Sequence, residues 1–131
     1  QTLLAHVQAA GHDVVDLGPA EASSVDYPDF GVKLATALQQ DDAGYGIAIC
    51  GSGIGISMAL NRFSWVRAAL VSPPLAAALA RQHNDANVLA LGERLIEPDL
   101  AKQCVDHFLG TEFEGGRHQR RVAKLSQIGE K

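Results

Sequence analysis

The segment Ile49-Cys50-Gly51-Ser52-Gly53-Ile54-Gly55 sets a thiol at the end of an apolar run and follows it with three alternating glycines. A strand that turns through glycines into a helix exposes backbone N–H groups, which can cradle an anion at the helix N-terminus. The same partial positive charge favours a thiolate, giving Cys50 the chemistry of a base or nucleophile. A small buried hydrophobe at a strand end fits the position as well, and spacing alone leaves both readings open. Several glycine-rich sites are excluded by count. A dinucleotide fingerprint needs its third glycine one place after Gly55, and an NTPase phosphate loop needs Lys where Ile56 stands. A low-molecular-weight Cys phosphatase needs Arg at that same position, and a phosphorelay receiver needs Asp at the end of this strand.

A second cluster is His83-Asn84-Asp85-Ala86-Asn87. Asn and Asp bond their own backbone in ordinary turns, but a His titrates near neutrality and can move a proton to or from a sugar oxygen. His6, His12 and His107 have no such company and read as solvated. The third cluster, Glu114-Gly115-Gly116-Arg117-His118-Gln119-Arg120-Arg121, is the dense positive charge of the chain. Arg117 and Arg121, four apart, share a helix face. Cations at a helix start oppose its dipole, so an anion is expected to complete the site, with Arg120 and Lys124 as solvated charge.

The elements that must position these groups follow from apolar periodicity. Leu3, Leu4, Val7 and Ala10 recur at helical spacing with Gly11 as a stop, and Asp13-Val14-Val15-Asp16-Leu17 alternates like a strand before Gly18-Pro19. Pro28 starts a helix carrying Phe30, Leu34, Ala37 and Leu38, and Tyr45 to Ile49 reads as a buried strand. Helix, strand and helix follow over Ile56 to Arg62, Val66 to Val71 and Leu75 to Arg81. Ala86 to Leu91 is extended, and helices follow Pro98 and span Arg117 to Ile128. This alternation predicts an α/β fold, a doubly wound parallel sheet sandwiched by helices in three Rossmann-like layers, over one domain of residues 1–131. Such sheets bind ligands at the carboxyl ends of their strands. The loops after Leu17, Ile49, Val71 and Leu91 are therefore the expected sites.

The 131 residues carry 11 Lys+Arg and 15 Asp+Glu, a net charge of 11 − 15 = −4, which argues against nonspecific nucleic-acid binding. No apolar run reaches the roughly 18 residues a membrane span requires. Cys50 and Cys104 form neither a disulfide framework nor a metal motif, so a reducing cytoplasm is expected. The chain opens without Met, inside a helix that βαβ logic expects a strand to precede.

In this order, Cys50 to Ser57, Arg81 to Ala90 and Phe113 to Val122 closely resemble the signatures of ribose-5-phosphate isomerase type B and its galactose-6-phosphate isomerase relatives. The resemblance covers nearly the whole chain, Asp26-Tyr27-Pro28 included. It implies an aldose–ketose isomerase working through a cis-enediolate, without metal or nucleotide. Cys50 would be the base between C1 and C2, and His83 would assist ring opening. Gly51, Ser52, Gly53, Ile54 and Gly55, with Asn84, would hold the enediolate oxygens. Arg94, Arg117 and Arg121 match substrate-binding residues, the last two gripping phosphate, and Tyr27 lines the pocket. The resemblance also implies a homodimer or dimer of dimers whose site lies between subunits. The family begins with a strand ending in Asp-His, and this sequence starts after it, so truncation relative to the family is expected. The alternatives are a six-carbon sugar-phosphate isomerase and a truncated, non-catalytic phosphosugar-binding relative.

Overall fold

A computed structural model describes residues 2–17, 26–40 and 44–128. Its elements are α1 (Thr2–Ala9), α2 (Tyr27–Gln40), β1 (Gly46–Cys50), α3 (Ile54–Leu60), β2 (Ala68–Leu70), α4 (Pro74–Asn84), β3 (Val88–Gly92), α5 (Pro98–Leu109) and α6 (Arg117–Gln127). Prolines in the first turns of α4 and α5 start these helices where a missing N–H costs nothing. Gly11, at φ 96°, ends α1.

The three strands lie parallel in the order β1-β3-β2. β1 runs in register with β3 from Gly46 opposite Val88 to Cys50 opposite Gly92. Central β3 is buried along its whole length, as its unbroken apolar run requires. Alternate side chains feed two cores. Leu89 and Leu91 pack with Val7, Ala77, Ala80, Ala101, Cys104, Val105 and Phe108 from α1, α4 and α5. Val88 and Ala48 pack with Ala35, Ile56 and Leu60 from α2 and α3. Helices thus cover both faces of the sheet, the expected three layers. Gly31 brings α2 against α3, since a Cβ there would stand 3.1 Å from that of Ala59.

One expected strand is not formed. Residues 12–17 have no regular secondary structure, and neither ladder of the described sheet includes them. Alternating side chains make a strand only when the backbone finds a partner, and β1 pairs with β3 alone among the described residues. The loop expected after Leu17, and the end of α2 beyond Gln40, fall on residues 18–25 and 41–43, outside the described residues.

Arg81 fixes the passage from α4 into β3. Only 4% exposed, it donates to the carbonyls of Ala86 at 2.8 Å and Thr111 at 3.1 Å, to Asp85 Oδ1 at 2.8 Å and to Tyr45 Oη at 3.1 Å. Asp85 takes a left-handed conformation, φ 47°, at the end of α4. Asn87 accepts from Arg67 N–H at 2.7 Å and donates to Trp65 C=O at 2.8 Å. Asp85 and Asn87 are therefore turn-builders, and His83 and Asn84 stand on a braced helix end.

Candidate active site

At the carboxyl end of β1, Cys50 passes into the glycine loop. Gly53, in the left-handed region at φ 77°, donates its N–H to Cys50 Sγ at 3.3 Å. Ile54 N–H donates to Ser52 Oγ at 3.1 Å. No side chain fits at Gly53, because a Cβ would lie 2.6 Å from Leu70 Cδ1 and 3.0 Å from the Leu91 carbonyl carbon. The chain leaving β3 holds the loop from the other side: Glu93 N–H donates to Cys50 C=O at 2.9 Å and Arg94 N–H to Gly51 C=O at 3.0 Å. That pairing sets the Arg94 guanidinium against Gly51, where a Cβ would be 3.4 Å from Cζ. The Tyr27 ring overhangs Gly55 so closely that a Cβ there would be 2.6 Å from its Cζ. Cys50, Gly51 to Gly55, Arg94 and Tyr27 therefore form one cluster, with a thiol, aimed backbone donors and a guanidinium.

His83, Asn84, Arg117 and Arg121 form a second cluster. His83 and Asn84 end α4, and the chain then enters β3 at its amino end. Glu114 N–H donates to Gln82 C=O at 3.1 Å, docking the start of α6 on the end of α4. The rings of His83 and His118 stack there, 4.3 Å between centroids and 14° between planes. His118 is buried, and its Nε2 lies 3.7 Å from Glu114 Oε1. Loss of hydration pushes the His118 imidazolium below its ordinary range, and His83, Arg117 and Arg121 act in the same direction while Glu114 opposes them. Arg117 and Arg121 are exposed and, among the described residues, neither has an ion-pair partner.

The two clusters occupy opposite ends of the sheet. One stands where β1 and β3 end and the other where β3 begins, a strand length of about 13 Å between them. The carboxyl-end loops that strand topology points to therefore hold eight of the twelve expected residues, and His83, Asn84, Arg117 and Arg121 lie at the other end. The donor atoms of His83, Glu114 and His118 lie within 4.8 Å of one another, a spacing that invites a metal. The nearly parallel rings point their in-plane lone pairs alongside each other, and Arg117 and Arg121 repel a cation.

His118 carried no assigned role in the sequence reading. Its signal was its place between two arginines on the first turn of α6, one turn beyond Glu114. His6, expected to be solvated, instead bonds Asp106 Oδ1 through Nε2 at 2.7 Å, because α1 packs on α5. Cys104 is a packing residue: its Sγ donates to Ser72 C=O at 3.0 Å, and burial pushes its thiol upward.

Comparison with known proteins bears on these clusters. Residues 1–125 match the model of the family described as Ribose/Galactose Isomerase. The chain is 44% identical to "Ribose-5-phosphate isomerase B" of Escherichia coli over 126 residues, 96% of this chain and 85% of that protein. Among solved structures, the ribose 5-phosphate isomerase of Thermotoga maritima is similar with TM-score 0.92 and 44% identity, over 96% of this chain and 87% of that one. Ribose-5-phosphate isomerase B of Mycoplasma genitalium, solved with bound ribulose-5-phosphate, gives TM-score 0.93 and 42% identity, over 99% and 87%.

Proposed function

The chain belongs to the ribose/galactose isomerase family, and on that premise we propose that it interconverts ribose 5-phosphate and ribulose 5-phosphate at a site shared by two copies. The observation that carries the reading is Cys50 Sγ at the end of β1, bonded by Gly53 N–H, in a loop where Arg94 lies against Gly51 and the Tyr27 ring over Gly55. Arg117 and Arg121 grip the phosphate, whose binding energy is remote from the reacting carbons. His83 takes the proton from the C1 hydroxyl of the furanose and returns one to the ring oxygen, which opens the ring. Cys50 thiolate removes the C2 proton and the electron pair moves onto the C1 carbonyl to give the enediolate; the O2 hydroxyl proton passes to O1, and Cys50 returns its proton to C1 to give the ketose. Backbone N–H groups of the Gly51 to Gly55 loop and Asn84 stabilise the charge developing on the substrate oxygens.

The placement of His83, Asn84 and the arginine pair at the end of the sheet opposite Cys50 supports a homodimer, or a dimer of dimers, in which each site takes one cluster from either copy. Apolar side chains near the Cys50 end are available for such a contact: Met58 is 66% exposed and Leu75 68%, and Ile54 and Leu70 are also exposed. We read residues 1–131 as a single domain. Among the described residues no helix is long and apolar enough to cross a membrane, and two free thiols suit a reducing, cytoplasmic setting.

Steady-state assays on ribose 5-phosphate, allose 6-phosphate and galactose 6-phosphate test the reading. The expected order puts ribose 5-phosphate first in kcat/KM. A six-carbon substrate leading would reassign the sugar, and binding of phosphosugar without turnover of any of the three would make the chain a binding relative.

A further inference from the structure

Resting on that reading of His83, we propose that His118 is a positioning residue that holds the His83 imidazole for ring opening. Among the described residues, the contact recorded for the His83 ring is its stack on His118, at 4.3 Å and 14°. An imidazole at a helix end, free to turn about two torsions, delivers a proton along a chosen line only if a neighbour fixes its plane. His118 is fit for that work. It is 8% exposed, its own N–H donates to Gly115 C=O at 3.1 Å, and Glu114 ties the same turn to Gln82. Val122, one turn further along α6, is buried, so the platform is anchored from below.

Two imidazolium rings face to face repel each other, and the His83 ring is among the groups that lower the His118 pKa. Burial first, then His83, Arg117 and Arg121, push the His118 imidazolium below its ordinary range against the pull of Glu114. His83 is the half-buried ring of the pair, and His118 holds its plane. His118 needs no contact with the sugar to do this.

The test separates ring opening from base chemistry. Ribulose 5-phosphate is acyclic, and its C1 proton exchanges with solvent deuterium through the Cys50 thiolate alone: the base takes the proton and returns a deuteron. In His118→Ala, kcat/KM for ribose 5-phosphate is expected to fall about 10²-fold while C1 exchange stays within about threefold of the parent. His118→Phe keeps an aromatic face and is expected to recover most of the loss. Equal losses in both assays would mark a merely structural role, and unchanged turnover, or Phe no better than Ala, would equally overturn the proposal. Were the parent itself inactive on ribose 5-phosphate, the functional reading would fail instead. The His83 ring resonances in NMR would then decide positioning: His118→Ala must shift and broaden them, and unchanged resonances overturn it.

Discussion

Cys50→Ala is expected to lower kcat for ribose 5-phosphate by about 10²–10⁴-fold, the range a general base contributes, with the fold retained. The loss falls on kcat because the thiolate acts on a carbon-bound proton in the transition state and does little to hold the ground-state sugar. The fold survives because the side chain is half-buried and its recorded hydrogen bond comes from one backbone N–H, that of Gly53. Glu93 and Arg94 bond the backbone carbonyls of Cys50 and Gly51, so the loop is held whatever side chain stands at position 50. Circular dichroism and thermal melting of the variant check the fold. A folded Cys50→Ala protein with near-parent kcat would return Cys50 to the role of a small packing residue.

The second large effect belongs to the arginine pair. Each of Arg117→Ala and Arg121→Ala is expected to raise KM for ribose 5-phosphate roughly 10- to 100-fold, the equivalent of losing one charge-assisted hydrogen bond to phosphate. Inhibition by inorganic phosphate should weaken in parallel. Lys124→Ala, on the same helix and in its last turn, serves as the comparison and should change KM little. Both arginines are exposed and lack carboxylate partners among the described residues, so their loss leaves no buried charge unpaired. If KM and phosphate inhibition both stay at parent values, the cluster is only solvated surface.

Much of this molecule was legible in its sequence, and the exceptions share a cause. β3 announced itself as an apolar run too short for a helix, and Pro28 and Pro98 marked helix starts to within a residue. Local pattern sufficed because burial and backbone restriction act locally there. Asp13 to Leu17 misled, because alternation says which side chains could face a core and nothing about whether a neighbouring backbone is present to pair. The tight turn after Cys50, with Arg94 and Tyr27 closing on its glycines, was legible because close packing against a backbone demands glycine and so leaves a mark in sequence. His118 left a fainter one. Stacking against His83 requires α4 and α6 to meet end to end, a tertiary fact that no spacing along the chain encodes.

The separation of the two clusters was legible in principle. His83 and Asn84 end a helix and precede a strand, which in a parallel α/β sheet puts them at the amino edge, while Cys50 follows a strand and lies at the carboxyl edge. The motifs carry one reaction's chemistry, and topology assigns them to two places, which accords with the resemblance's implication of a site between subunits.

Subunit complementation tests that division most directly. Chains carrying Cys50→Ala and chains carrying His83→Ala, each nearly inactive alone, are co-expressed in equal amounts and assayed on ribose 5-phosphate. A mixed dimer then holds one site with both changes and one with neither. With half of random dimers mixed and one of two sites intact in each, recovery of about a quarter of parent activity is predicted. Activity no higher than that of either variant alone would contradict a site built from two copies.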